Sequence, residues 1–189
     1  MSTGWILAAV AAAIVVYLIV VFNRLVRQRN VVREGWSGID VQLKRRTDLV
    51  PNLVETVKGY AAHERSLFEE IASRRAASVA ASDVGGQANA ERALSGSLGK
   101  LMAVAEAYPD LKANQNFLEL QKQLSVTEDN IQMARRYYNG AVRNLNISIQ
   151  SFPDVIVARM LGFREEPFFE LESRAEAAAP QIGFPGGKA

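Results

Sequence analysis

Cysteine is absent from this chain of 189 residues, and histidine occurs once, as His63. Without thiols there is no disulfide framework, no thiolate nucleophile, no cysteine-ligated metal and no lipid-bearing cysteine of a lipoprotein. A single imidazole also excludes sites that need two. A di-iron centre in a helical bundle wants Glu-x-x-His on two helices, and the residue three before His63 is Tyr60. His63 is therefore read as a surface or helix-packing residue. Net charge is scarce as well: 22 basic against 20 acidic side chains leave +2, so any basic character is local. Recognisable catalytic motifs are missing. Gly96-Ser97-Leu98-Gly99-Lys100 has the wrong glycine spacing for a phosphate loop, lacks Ser or Thr after the lysine and lies in helical periodicity. Glu69-Glu70 and Glu165-Glu166 are sequence neighbours, so on a helix their carboxylates diverge and a solvated face is the expectation. Asn146-Ile147-Ser148 matches a glycosylation sequon by chance, on a helix. The expectation is no metal, no cofactor and no catalytic residue.

A long apolar run is what the chain does have. Trp5 to Phe22, about 18 residues without a charge, is near the roughly 20 that cross a bilayer as a helix. Trp5 and Phe22 fall at its two interfaces. Arg24, Arg27, Arg29 and Arg33 follow at once, whereas Met1 to Gly4 carry no side-chain charge. The positive-inside bias then puts the N-terminus outside and the rest in the cytoplasm. A cleaved signal would want its charges before the apolar stretch, and Phe22-Asn23-Arg24 is a poor cleavage site, so an uncleaved signal-anchor is expected. The arginines set topology and face anionic headgroups; without interleaved aromatics they do not suggest nucleic acid. Gly4, Ala8 and Ala12, four apart, make a small-residue stripe on which two spans could associate.

Beyond the span, large apolar residues keep a three-four rhythm: Leu25, Val32, Trp36, Ile39, Leu43, Val50, Leu53, Val57, Tyr60, Leu67 and Ile71. That is the seam of a long helix packed along others, broken only by Arg46 and Glu64. The phase is unchanged across Pro51, which predicts a kink there and continuation to about Ala80, a rod of about 85 Å beyond the membrane. Ser78 to Ala90, with Gly85-Gly86 at its middle, reads as a loop. A shorter seam runs through Leu94, Leu98, Leu101, Ala105 and Tyr108 to Pro109, and Asp110 or Asn114 can cap the next helix. There Phe117, Leu124, Ile131, Tyr138, Leu145 and Phe152 recur every seventh residue, facing a mostly smaller row of Leu120, Thr127, Ala134, Ala141 and Ser148. Small opposite large lets a neighbour approach closely and sets register. Phe152-Pro153 breaks this helix, and Asp154 to Leu161 forms a short one ending at Gly162.

Several of these stretches resemble the LemA family. The likeness rests on Arg29-Asn30-Val31-Val32-Arg33-Glu34-Gly35-Trp36-Ser37, on Ile39 through Val54, on Val57-Lys58-Gly59-Tyr60-Ala61, on Tyr108-Pro109-Asp110-Leu111-Lys112-Ala113-Asn114, on Ala134-Arg135-Arg136-Tyr137-Tyr138-Asn139, and on Phe152-Pro153 with Gly162-Phe163. It spans about residues 5 to 172. It implies a single-pass bacterial membrane protein with a helical-bundle cytoplasmic domain and an outward N-terminus, and offers no catalytic residues to carry over. Thr127-Glu128-Asp129-Asn130-Ile131 departs slightly from the family's pattern, with an acid where Asn is expected.

The reading is an all-α protein whose N-terminal transmembrane helix continues into an elongated antiparallel helical bundle: signal-anchor 1–23, cytoplasmic bundle 24–163 and a largely disordered tail 164–189. Its expected place is the bacterial inner membrane, and its expected role that of a non-catalytic scaffold or adaptor working through lipid, self-association or an unidentified protein partner. Asp40, Arg46, Asn52, Lys58, Glu64, Asn114 and Asn139 are polar candidates for capping, inter-helix bonding or partner contact. Two alternatives stay open: a signalling or stress-response relay to a cytoplasmic partner, and an enzyme or enzyme subunit using a polar inter-helix site around Asp40, Arg46, Lys58 and Glu64.

Overall fold

The computed structural model describes residues 3–169, and every regular element among them is an α-helix. The first, α1, runs unbroken from Thr3 to Lys58 over 56 residues, a length of about 84 Å. Residues 3–20 are exposed on every side. A helix that is apolar all round and unburied by protein is suited to lipid, and among the described residues α1 is the one helix long and apolar enough to cross a membrane.

The helix passes through Pro51 without ending. Proline cannot donate to the carbonyl four residues earlier, which orphans the carbonyl of Thr47. Arg75 resolves this from another helix: its Nε donates to that oxygen at 2.7 Å. The expected continuation to Ala80 does not occur. At Gly59 the chain leaves the helix, Val57 O accepts from both Tyr60 N (3.0 Å) and Ala61 N (2.9 Å), and α2 (Arg65–Ala80) folds back along α1. Lys58 Nζ lies 5.9 Å from the Phe68 ring at one end of this hairpin, and Arg75 meets Thr47 further along. Leu67 and Ile71 are buried as the rhythm requires, but against Val50, Leu53, Val54 and Val57 of the preceding helix. The rhythm reported burial, and a six-residue reversal can preserve burial while changing direction.

The expected loop at Ser78 to Ala90 is also mostly helix. Only residues 81–83 separate α2 from α3 (Val84–Glu106), because Asp83 caps α3 by accepting from Gly86 N at 2.8 Å. A Cβ on Gly86 would sit 2.8 Å from Asp83 Oδ2, so glycine here clears room for the cap. A one-turn helix, α4 (Pro109–Lys112), leads to Asn114, whose side chain caps α5 (Gln115–Gln150). Helix α5 returns antiparallel to α1 for its whole length. Glu128 meets Arg46, Tyr138 meets Trp36, and Ser148 meets Gln28. A final helix, α6 (Asp154–Met160), lies beside the start of the bundle.

Two apolar cores result. The one nearer the apolar span joins Val21, Leu25, Val32, Ile39 and Leu43 to Ile131, Tyr138, Val142 and Leu145. The distal one gathers α1 beyond Val50 with α2, α3 and the start of α5. Of the large seventh-residue row, Phe117, Ile131, Tyr138 and Leu145 are buried, but Phe152, past the end of α5, is 82 % exposed. The tail boundary moves as well: residues 164–169 pack against the bundle, with Phe169 fully buried, and residues 170–189 lie outside the described residues.

Candidate functional site

Arg46, one of the two residues that interrupt the seam, sits between the two cores with 1 % of its side chain exposed. A guanidinium removed from water needs charge and acceptors around it. Glu91 of α3, itself fully buried, forms an ion pair with it, and Glu128 of α5 accepts from Nη1 at 2.8 Å. Ser95 Oγ accepts from the same nitrogen at 2.8 Å. On its other side the Glu91 carboxylate accepts from Gln87 Nε2 at 2.8 Å and from the Ser78 hydroxyl of α2. Arg46 thus ties α1 to α3 and α5, and Glu91 extends the network to α2. Ser78, seven after Ile71, and Glu91, three before Leu94, fall in phase with buried seams, but nothing local marks them or Glu128 as partners of Arg46, since each lies on another helix.

The remaining polar candidates do not converge on Arg46. Asp40 and Lys58 are exposed and lie 18 positions apart on α1, about 27 Å by helical rise. Asp40 borders a cleft with Lys44, Thr47 and Arg75, while Lys58 pairs with Glu55 at 2.6 Å. Glu64 is the N-cap residue of α2, makes no side-chain cap bond, and offers its carbonyl to Leu67 N and Phe68 N. Asn52 is exposed. The four residues of the alternative polar inter-helix site, Asp40, Arg46, Lys58 and Glu64, are therefore not brought together. Asn114 caps α5 through Oδ1, accepting from Asn116 N (2.9 Å) and Phe117 N (3.1 Å), and its Nδ2 donates to Tyr60 Oη at 3.0 Å.

Asn139 has a different task. Its Oδ1 accepts from Phe169 N at 2.9 Å and its Nδ2 donates to Phe169 O at 3.2 Å. Seven residues on, Asn146 repeats this with Glu166: Oδ1 accepts from Glu166 N and Nδ2 donates to Glu166 O, both at 2.9 Å. Between them Tyr138 Oη donates to Pro167 O at 2.9 Å. The segment after α6 is thus held by its backbone along α5, and the Phe169 ring packs 5.9 Å from Trp36. Burial, and then the carboxylate of Glu166, push the Tyr138 phenol up to about 12. Asn146 was missed as a polar contact in the sequence, although its heptad spacing from Asn139 was a usable signal.

At the foot of the bundle Arg24 pairs with Asp154 of α6, and Tyr17 Oη donates to Asp154 Oδ1 at 2.7 Å. Phe22 meets Phe163 edge-on, with centroids 6.1 Å apart, and Arg29 lies 5.2 Å over the Phe163 ring. Arg27 and Arg33 are exposed, as is Trp5. Gly4, Ala8 and Ala12 face outward, and nothing lies within 4 Å of where a Cβ on Gly4 would be. Among the described residues no three His, Asp or Glu side chains are grouped to hold a metal.

The LemA family model matches residues 35–184, a range that begins beyond the apolar span. Relatives include the magnetosome protein MamQ 2 of Paramagnetospirillum magneticum, 27 % identical over 184 residues, covering 84 % of this chain and 68 % of that protein. MamQ of Magnetospirillum gryphiswaldense is 26 % identical over 198 residues, covering 90 % and 73 %. Protein LemA of Metamycoplasma hominis is 27 % identical over 150 residues, covering 78 % and 68 %. With a family model matching well over half of its length, and with the helical architecture described above, this chain belongs to the LemA family.

Proposed function

We propose that the protein is a membrane-anchored helical scaffold, with its N-terminus outside and its bundle in the cytoplasm of a bacterium, presenting surface to lipid, to further copies or to a protein partner rather than catalysing a reaction. The observation that carries this reading is that one unbroken helix, α1, contains both the exposed apolar span and the central seam of the bundle. Anchor and bundle are one mechanical piece. The strongest polar constellations are consumed by the fold itself: Arg46 by two carboxylates, Asn139 and Asn146 by the backbone of the segment after α6. No name among the relatives cited carries a catalytic activity.

The same continuity of α1 also favours a relay, in which a change at the membrane moves the bundle. Purification of the full chain in mild detergent, with its mass measured by light scattering, tests the scaffold. The expected particle contains several copies or a co-purifying polypeptide. A bare monomer that turns over a substrate would overturn the proposal.

A further inference from the structure

Helix α6 is not placed where a cytoplasmic helix would be expected. Asp154, its first residue, contacts Tyr17 and Arg24 of α1, and Val157 and Ala158 are buried in the core that includes Val21 and Leu25. Along α1, Tyr17 and Arg24 lie 12 and 19 residues past Trp5, about 18 and 28 Å by helical rise. A hydrocarbon core is about 30 Å thick. If Trp5 marks one interface, α6 stands at the other.

Its composition fits that level. Phe152, Ile156 and Met160, each four residues from the next, are 82 %, 52 % and 75 % exposed, and Leu161 beside them is 51 % exposed. Ile156 and Met160 lie on the face of α6 away from the buried Asp154, Val157 and Ala158, and Phe152 stands exposed in the turn before it. Left in water such a surface is costly, and at an acyl boundary it is favourable. Charge agrees with this placement. The carboxylate of Asp154, which would be expensive near lipid, is paired with Arg24 and bonded by Tyr17. Arg27, Arg159 and Arg164 are exposed around the same level, where anionic headgroups would meet them.

We propose that the Phe152 turn and α6 form a second membrane contact, a short interfacial foot whose Phe152, Ile156 and Met160 side chains enter the leaflet on the bundle's side. The inference rests on α1 being a bilayer span, and its occupant is lipid, not another polypeptide. Because Asp154 fixes α6 to Tyr17 and Arg24 of the span, span and foot would grip the membrane at two points and hold the bundle at one angle.

The absence of cysteine makes the test direct. Single spin labels at Ile14→Cys, Ile156→Cys, Met160→Cys and Val126→Cys are placed in the full chain in phosphatidylethanolamine–phosphatidylglycerol vesicles, and collisions with oxygen and with an aqueous nickel chelate are compared. The expected result is that positions 156 and 160 favour oxygen over nickel several-fold, as position 14 does, while position 126 on the distal bundle favours nickel. Nickel-accessible labels at 156 and 160 beside a lipid-exposed label at 14 would overturn the foot and leave the anchor standing. A nickel-accessible label at 14 would overturn both. Dipolar broadening between labels at 156 on neighbouring copies would instead make this surface a contact between copies, and would also overturn the proposal.

Discussion

Arg46 and Glu91 are both almost wholly out of water, so neither tolerates the loss of the other. Removing one member of a buried pair typically costs about 3–5 kcal/mol, because the survivor stays uncompensated, whereas replacing both by apolar residues is often close to neutral. Arg46→Met is therefore expected to lower the unfolding midpoint strongly, and Arg46→Met combined with Glu91→Leu to recover most of it, since Glu128 is 37 % exposed and can be solvated. Thermal unfolding of the detergent-solubilised variants decides this. Equal destabilisation in the single and double variants would show that the arginine sets the packing of the helices and not merely its own charge balance.

Asn139 and Asn146 each make a pair of bonds to one backbone unit, worth about 1 kcal/mol per bond. Replacing either by Ala should loosen residues 163–169, and trypsin should then cut after the exposed Arg164 markedly faster than in the parent. Tyr138 adds a pH signature. Its folded-state value, near 12, exceeds the usual 10. Its contribution is fully present below pH 10 and is lost as pH rises toward 12, because the unfolded phenol ionises first. That loss amounts to about 3 kcal/mol at most. Ultraviolet titration should find one tyrosine ionising near 12, a step that Tyr138→Phe removes.

At the scale of the helices, the close approach of α1 and α5 depends on Gly35. A Cβ there would meet Tyr138 Cα at 3.1 Å and Tyr137 Cδ1 at 3.2 Å, whereas one on Gly38 would meet nothing within 4 Å. Glycine to alanine inside a helix normally gains about 1 kcal/mol. Gly38→Ala should show that gain and Gly35→Ala should reverse it, because backbone cannot yield as a side-chain tip does. Comparing the two midpoints by circular dichroism checks the pair. Pro51 and Arg75 are linked in the same way. Arg75→Ala should lower stability in the parent, and by less in a Pro51→Ala background, where the Thr47 carbonyl regains its helical donor.

For the molecule as a whole, the proposed orientation rests on the arginines that follow the span. A cysteine at Ser2 should react with an impermeant thiol reagent in intact cells, and one at Gly187 should react only after the membrane is opened. The reverse labelling would invert the proposed topology and would place the α6 foot on the outer leaflet.

The helical class, the apolar span, the seam of α5 and the cap at Asn114 were all legible in the sequence, because each depends on residues within a turn or two of one another, or on a repeat of seven. The direction of α2 was not. A seam reports which residues are buried, and Leu67 and Ile71 are buried whether the chain runs on or turns back, so contacts between the two helices, such as Arg75 with Thr47 and Lys58 with Phe68, are needed to distinguish the two. Arg46 looked like an interruption until its carboxylates arrived from positions 45 and 82 residues away. The place of α6 beside the span was equally hidden, since Tyr17 and Asp154 are separated by 137 residues. Local preference and periodicity determined the helices and their buried faces. Pairing of charges and of backbone groups between distant segments required the tertiary structure, because such groups gain energy only when the fold brings them together out of water.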